Sequence, residues 1–251
     1  MIQLKSPREI EIMAQGGRIL GATVEMLRRE VRPGMSTWEL DEMAESFIRS
    51  HPGATPSFKG LYGFPGSVCA SINEEIVHGI PSRKRVLEDG DIISIDVGVK
   101  FDGYHTDSAT TVPVGAVPAE SQRLMDVTRQ ALDAGVDAAR PGNHIGDIGA
   151  AIQAVVEASG FSIVRDLVGH GIGVAFHEEP QVPNYGKPRR GTKLVPGLTI
   201  AIEPMVNAGG AATRTMPDRW TVVTVDGSRS AHFEHTVAIT ETGPRVLTVA
   251  G

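Results

Sequence analysis

Five side chains of the kinds that hold divalent metals, Asp96, Asp107, His170, Glu203 and Glu234, fall at or next to expected strands in segments rich in glycine and β-branched residues. Such a set suits a two-metal hydrolase, in which ions about 3.5–4 Å apart acidify a water and polarise the bond it attacks. In the run DIISIDVGV from Asp91 to Val99, Ile93, Ile95, Val97 and Val99 alternate onto one face. Ser94 and Asp96 are left on the other. The two-residue hairpin signal Asp102-Gly103 sets Gly98 opposite Asp107. Asp107 then lies diagonal to Asp96 on the same face, about 7–8 Å away at the backbone, and the two carboxylates converge. Two aspartates flanking a turn are by themselves more often plain surface, so the elements around them decide.

Those elements are legible. Ser6-Pro7-Arg8-Glu9 forms a capping box with proline in the first helical turn, followed by Ile10, Met13, Gly17, Leu20, Val24, Leu27 and Val31 at helical spacing up to Arg32-Pro33-Gly34. Ser36 and Glu39 make a second box, predicting a helix with Leu40, Met43 and Phe47 turned inward. A loop rich in glycine and proline follows to Gly66. Arg32-Pro33-Gly34 returns as Arg140-Pro141-Gly142, and GDIISID from Gly90 returns as GLTIAIE from Gly197, each alternation ending on a carboxylate. Two matches in order, at nearly one offset, imply a duplicated helix-helix-strand unit of roughly 110 residues closing around a shared site. One domain over residues 1–251 is expected, with halves of about 6–113 and 118–245. In the second half, glycines flank His170 within VGHGIGVAFHEEP, which reads as strand and turn rather than a helical zinc motif. Ser230 to Thr240 places His232, Glu234, Thr236 and Ala238 on one face of a single strand.

A chain of 251 residues, 41% hydrophobic, can bury a large core, while a net charge of −6 argues against a dedicated nucleic-acid binder. The basic clusters SRKR (82–85) and KPRR (187–190) read first as solvated loops. Contact of Lys187, Arg189 and Arg190 with the ribosome surface is the sharper alternative. The single cysteine, Cys69, forms no internal disulfide and suits a reducing compartment. The amino-terminal residues mix charges into their apolar positions and read as neither signal nor membrane span. Cytoplasmic residence and a monomer are the expectations.

The segments SVCASINEEIVHGIP (67–81), IDVGVKFDGYHTDSATT (95–111), GHGIGVAFHEEPQV, IAIEPMV and DRWTVVTVDGSRSAHFEHTV together resemble the pita-bread metallopeptidases, and among them the bacterial type I methionine aminopeptidases, over essentially the whole chain. The resemblance implies an α+β pita-bread fold, with two pseudo-symmetric helix-helix-strand halves around a central antiparallel sheet. It also implies two divalent ions (Co, Mn, Fe or Zn) on the same five residues. Glu203 would act as proton shuttle, and His78 and His177 would donate hydrogen bonds to the substrate. Phe58, Leu61, Phe64, Cys69, Phe176 and Trp220 match the positions lining a methionine pocket. Leu61 stands where many relatives carry tyrosine, with Tyr62 beside it. Asn73, Glu75 and Ser230 correspond to a monovalent-cation site. Nascent polypeptide N-termini with a small second residue are the implied substrate. The rival readings are an X-Pro aminopeptidase or prolidase, which shares the fold, and a non-catalytic binding protein; fold alone does not separate them.

Overall fold

The structure, a computed structural model, describes residues 2–250. Reciprocal caps start the first two helices where the boxes predict them. Glu9 Oε2 accepts from the Ser6 amide at 2.7 Å while Ser6 Oγ accepts from the Glu9 amide at 3.3 Å, and Ser36 and Glu39 repeat the exchange at 2.8 and 3.3 Å. These caps open α1 (Pro7–Glu30) and α2 (Thr37–Arg49). The buried stripe of α2 differs from expectation: Leu40, Asp41, Ala44 and Ile48 are buried, while Met43 and Phe47 are only half-buried. Asp41 turns the helix, because its Oδ1 accepts from the buried amides of Ser67 and Val68 at 2.6 and 2.9 Å. A polar residue thereby takes a core position that an apolar pattern cannot anticipate.

The remaining strands of the first half are β1 (Ala54–Pro56), β2 (Val68–Ile72), β3 (Glu75–Val77), β4 (Ile92–Phe101) and β5 (Tyr104–Pro113). β1 lies inside the segment expected to be loop and pairs with β4. The second half holds α3 (Ala119–Ala138), α4 (Ile145–Ala158), β6 (Ser162–Ile163), β7 (Gly169–Gly171), β8 (Glu178–Val182), β9 (Thr199–Ile202), β10 (Met205–Asn207), β11 (Thr213–Thr215), β12 (Val222–Thr224), β13 (Ser230–His232), β14 (His235–Thr240) and β15 (Gly243–Val246). Every pairing is antiparallel, in ladders ordered β1-β4-β2 with β5 on β4, β15-β14-β9-β7-β8, β13-β10-β6 and β11-β12-β3.

The halves echo one another down to single hydrogen bonds. The amide of Gly34 donates to Leu87 O at 2.8 Å, and that of Gly142 to Leu194 O at 2.9 Å. Ser36 bridges Val86 as His144 bridges Lys193. Gly34 (φ 86°) and Gly142 (φ 92°) share the left-handed conformation that the turn between each pair of helices requires, which explains the recurrence of Arg-Pro-Gly. Each helix pair covers its own strands. Leu20, Leu27, Leu40 and Ile48 pack with Ile93, Ile95, Val97 and Val99, while Leu124, Leu132, Ile148 and Ile152 pack with Ile200, Ile202, Val237 and Ile239. The polar faces are left to meet in the middle.

They meet along β5 and residues 232–236. Thr111 Oγ1 accepts from the His232 amide at 2.8 Å and donates to His232 O at 2.9 Å; Thr236 Oγ1 accepts from the Asp107 amide at 2.8 Å and donates to Asp107 O at 2.9 Å. Between these clasps, Ser108 Oγ reaches Glu234 O at 2.8 Å and the Glu234 amide reaches Ala109 O at 2.9 Å. Hydroxyls thus replace most of a backbone ladder. The expected single strand over 230–240 is accordingly two: β13 pairs with β10 and β14 with β9, and the chain changes ladder at Phe233-Glu234. Pro204, between β9 and β10, has no amide to continue the ladder.

The first helix packs against residues near the other end of the chain. A Cβ placed on Gly17 would lie 2.1 Å from Leu247 O, and one on Gly21 would lie 2.5 Å from Ala250 N. Gly17→Ala gains about 1 kcal/mol of helix propensity, yet it is expected to destabilise the fold by about 1–3 kcal/mol because backbone must move to admit the methyl. A fall in the urea midpoint at unchanged slope checks this.

Candidate metal centre

Hairpin geometry places the first two carboxylates. Asp102 (φ 46°) and Gly103 (φ 89°) form the turn, and β4 and β5 pair in the expected register, Asp96 opposite Ala109 and Gly98 opposite Asp107. Ile93, Ile95, Val97 and Val99 take the face covered by α1 and α2, while Asp96 and Asp107 face the other half. His170 comes from the middle of β7, Glu203 from the residue after β9, and Glu234 from the break between β13 and β14. The structure brings all five into one cavity of about 540 Å³.

The imidazole and the carboxylates converge without bonding one another. His170 Nε2 stands 3.6 Å from Glu203 Oε1 and 4.0 Å from Asp107 Oδ2. His170 Nδ1 lies 2.8 Å from Gly171 O and donates to it, which aims the Nε2 lone pair at the carboxylates. Oδ1 of Asp96, Oδ1 of Asp107 and Oε1 of Glu234 are buried without a hydrogen-bond partner. Among the described residues, Asp107, His170 and Glu234 form one group able to share an ion, and Glu203, His232 and Glu234 form another, each offering atoms within 4.8 Å of one another. No lysine or arginine among the described residues pairs with these carboxylates. Buried anions with orphaned oxygens and no basic partner fit divalent cations.

Without cations the cluster resists ionisation. Burial first, then the charges of Glu234 and Asp96, push Asp107 well above the usual carboxylate range; burial, then Asp107 and Asp96, do the same to Glu203. Glu234 is raised by burial and by Glu203, and Asp96 is raised to about 7 by burial. Burial lowers His170 to about 4, so its ring is neutral and free to act as a ligand at neutral pH.

The apolar wall joins the cluster directly. Cys69 lies opposite Asp96 across the β2-β4 ladder, and its thiol is pushed well up, by burial first and then by Asp96 and Asp107, so it serves as a small apolar surface. Phe58 meets Phe176 edge-to-face at 5.3 Å, and Phe64 meets Trp220 the same way at 5.1 Å. Leu61 packs on this group half-buried. His78, in a left-handed conformation (φ 60°), stands 6.4 Å from Trp220, centroid to centroid. His177 stacks on Tyr62 at 5.7 Å, with its Nδ1 3.3 Å from the Tyr62 hydroxyl. Burial lowers both histidines, so each is a neutral donor.

Among the lining residues without a role in the sequence reading are Tyr62, 72% exposed at the mouth beside His177, and His232, whose Nε2 stands 3.8 Å from both Glu203 and Glu234. The alternation of His232 with Glu234 was the available signal for the second. Tyr62 adopts φ 51° in a tight turn, and no periodicity marks it. Asn73, Glu75 and Ser230 lie close together but away from the carboxylates, and protein partners engage their side chains. Asn73 bonds Asp91 at 2.7 Å, Glu75 pairs with Arg85 at 2.7 Å, and Ser230 bonds Val206 O at 3.2 Å. Lys187, Arg189 and Arg190 are exposed on a loop folded over the start of α4, and none forms an ion pair among the described residues. In the other basic cluster, Arg83 pairs with Glu42 and Arg85 with Glu75.

The unfolded chain ionises its carboxyls near pH 4, whereas the folded, metal-free cluster holds its protons to higher pH. The metal-free protein is therefore expected to lose stability as pH rises from about 4 toward neutrality. Asp96→Asn is expected to raise the melting temperature of the metal-free protein at neutral pH and to reduce the upward shift that Mn²⁺ produces. Thermal scans with and without chelator check both signs.

Residues 11–241 match the model for metallopeptidase family M24. Methionine aminopeptidase 1 of Bacillus subtilis (strain 168) is 55% identical over 248 residues, covering 99% of each chain. The crystal structure of a methionine aminopeptidase from Thermotoga maritima superposes with a TM-score of 0.97 at 42% identity, covering 99% of this chain and 100% of that one. A prolidase from Pyrococcus horikoshii OT3 shares the fold at a TM-score of 0.78 and 24% identity, with only 64% of its length covered. The similarity to the aminopeptidases is thus end to end, while that to the prolidase reaches the fold alone. No helix among the described residues is long and apolar enough to cross a membrane. The chain belongs to metallopeptidase family M24, within its methionine aminopeptidase branch.

Proposed function

We propose that this chain is one catalytic domain over residues 1–251 that removes methionine from the N-termini of nascent polypeptides, preferring a small second residue. The observation that carries the reading is the contact of an aromatic, apolar cavity with a buried carboxylate cluster, joined at Cys69 and Asp96. Phe58, Phe64, Phe176 and Trp220 suit a flexible thioether, which packs well against ring edges. Removal of a terminal residue, rather than cleavage within a chain, follows the methionine aminopeptidases that this chain resembles from end to end. Tyr62 and His177 stack at the mouth, which supports a limit on the size of the second residue.

Asp96, Asp107, His170, Glu203 and Glu234 would hold two divalent ions drawn from Co, Mn, Fe or Zn. When bound, these supply Lewis acidity toward the water and the scissile carbonyl. The chain's own residues do the rest. Glu203 accepts a proton from the attacking water at a carboxylate oxygen and returns it to the departing amine, general base and then general acid at one side chain. Its backbone carbonyl accepts from Asn184 Nδ2 at 3.0 Å, which holds the residue in place. His78 and His177, both lining the cavity, donate hydrogen bonds to the carbonyl oxygen as it gains charge and to the substrate backbone.

With Mn²⁺, Co²⁺, Fe²⁺ or Zn²⁺ added, the protein is expected to release methionine from Met-Ala-Ser and to leave Ala-Pro-Ala intact in the same tube, as read by mass spectrometry. Loss of alanine from the second peptide would instead make it an X-Pro peptidase, and no cleavage with any of the four ions a binding protein. Glu203→Ala is expected to lower kcat by at least about 100-fold, the low end of general acid–base contributions. Undiminished cleavage by that variant would remove Glu203 from the mechanism.

A further inference from the structure

His232 ends β13 and is 1% exposed, yet neither of its ring nitrogens has a hydrogen-bond partner. Leaving such an atom buried and unpaired costs on the order of 1–3 kcal/mol, so Nε2 calls for a partner that protein atoms do not supply. Nε2 points between two carboxylates, 3.8 Å from Glu203 Oε2 and 3.8 Å from Glu234 Oε2. That is too long for a hydrogen bond to either. Donors sharing one cation, with bonds of about 2.0–2.2 Å, stand roughly 3–4 Å apart. We infer that His232 is a further metal ligand, a second imidazole at the centre. The inference rests on reading the carboxylate cluster as a metal centre, and it adds a donor that the five-residue set does not contain.

His170 is the internal yardstick. Its Nε2 stands 3.6 Å from Glu203 Oε1 and 4.0 Å from Asp107 Oδ2, a range that contains the 3.8 Å His232 keeps from each of its own two carboxylates. Glu203 turns one oxygen to each imidazole, so the two rings bracket it. Glu203, His232 and Glu234 place one atom each within 4.8 Å of one another, as do Asp107, His170 and Glu234. The backbone of His232 is held on both sides by Thr111 Oγ1, at 2.8 and 2.9 Å, so the ring has a fixed base from which to aim. A second imidazole changes the chemistry of the site. Nitrogen donors favour Zn²⁺ and Fe²⁺, whereas oxygen ligands and water suit Mn²⁺.

The test follows imidazole nitrogens directly. Protein labelled with ¹⁵N-histidine is stripped with chelator and titrated with Zn²⁺, and the ring nitrogens are read by NMR. Two imidazoles are expected to take coordination shifts in the wild-type protein and one in His232→Gln. That variant is also expected to bind its more weakly held Zn²⁺ at least about 100-fold less tightly, beyond the 10–100-fold that loss of an outer hydrogen-bond partner costs. A single shifted imidazole in the wild-type protein at saturation overturns the assignment without any variant having to fold. So does a His232→Gln protein that keeps both shifted imidazoles. If Zn²⁺ shifts no imidazole in the wild-type protein, the reading of the cluster as a metal centre falls, and the role of His232 falls with it.

Discussion

The clasp between β5 and residues 232–236 holds the site together. Two halves that each bury their own apolar face have little reason to associate through polar faces, and carboxylates on both sides push them apart. Against that repulsion, Thr111 and Thr236 each satisfy both the amide and the carbonyl of a residue across the seam. A direct ladder would bring strands within about 4.7–4.9 Å. Here hydroxyls take over the pairing on either side of the single direct bond from the Glu234 amide to Ala109 O, so the side chains of Asp107 and Glu234 both turn into the cavity.

The same seam explains why the cluster can be both costly and persistent. Among the described residues no lysine or arginine pairs with the four carboxylates, and their pKa values are raised chiefly by burial. The cost is local, and the two large apolar clusters behind the seam carry it. Function is placed where the fold is least comfortable, and the helices and outer strand faces supply the stability that permits it.

Much of this was legible because local chemistry left few alternatives. An Asp-Gly turn admits one common hairpin register, so the relation of Asp96 to Asp107 followed from the turn alone. Serine followed three residues later by glutamate marked both helix starts, and the repeated Arg-Pro-Gly marked turns with a left-handed glycine. Tertiary partners hid the rest. Asp41 took a core position because two amides from a distant strand needed an acceptor. The strand over 230–240 broke because Pro204, some thirty residues earlier, could not extend the ladder beside it. His232 was visible on the correct face, but burial of both its nitrogens depends on three segments meeting, which alternation in one of them does not reveal.

The close fit of α1 against Leu247 and Ala250 bears on the order in which the molecule assembles. The two surfaces are separated by some 230 residues of chain, which makes the contact one of the most non-local in the fold. During synthesis, α1 and its own strands can condense early as an apolar unit, but the cover for the Gly17 face emerges only some 230 residues later. Glu234 and Thr236 arrive in the same late stretch. The centre therefore closes only once those residues have emerged, and until then the first half carries an unpaired polar face rather than a working site.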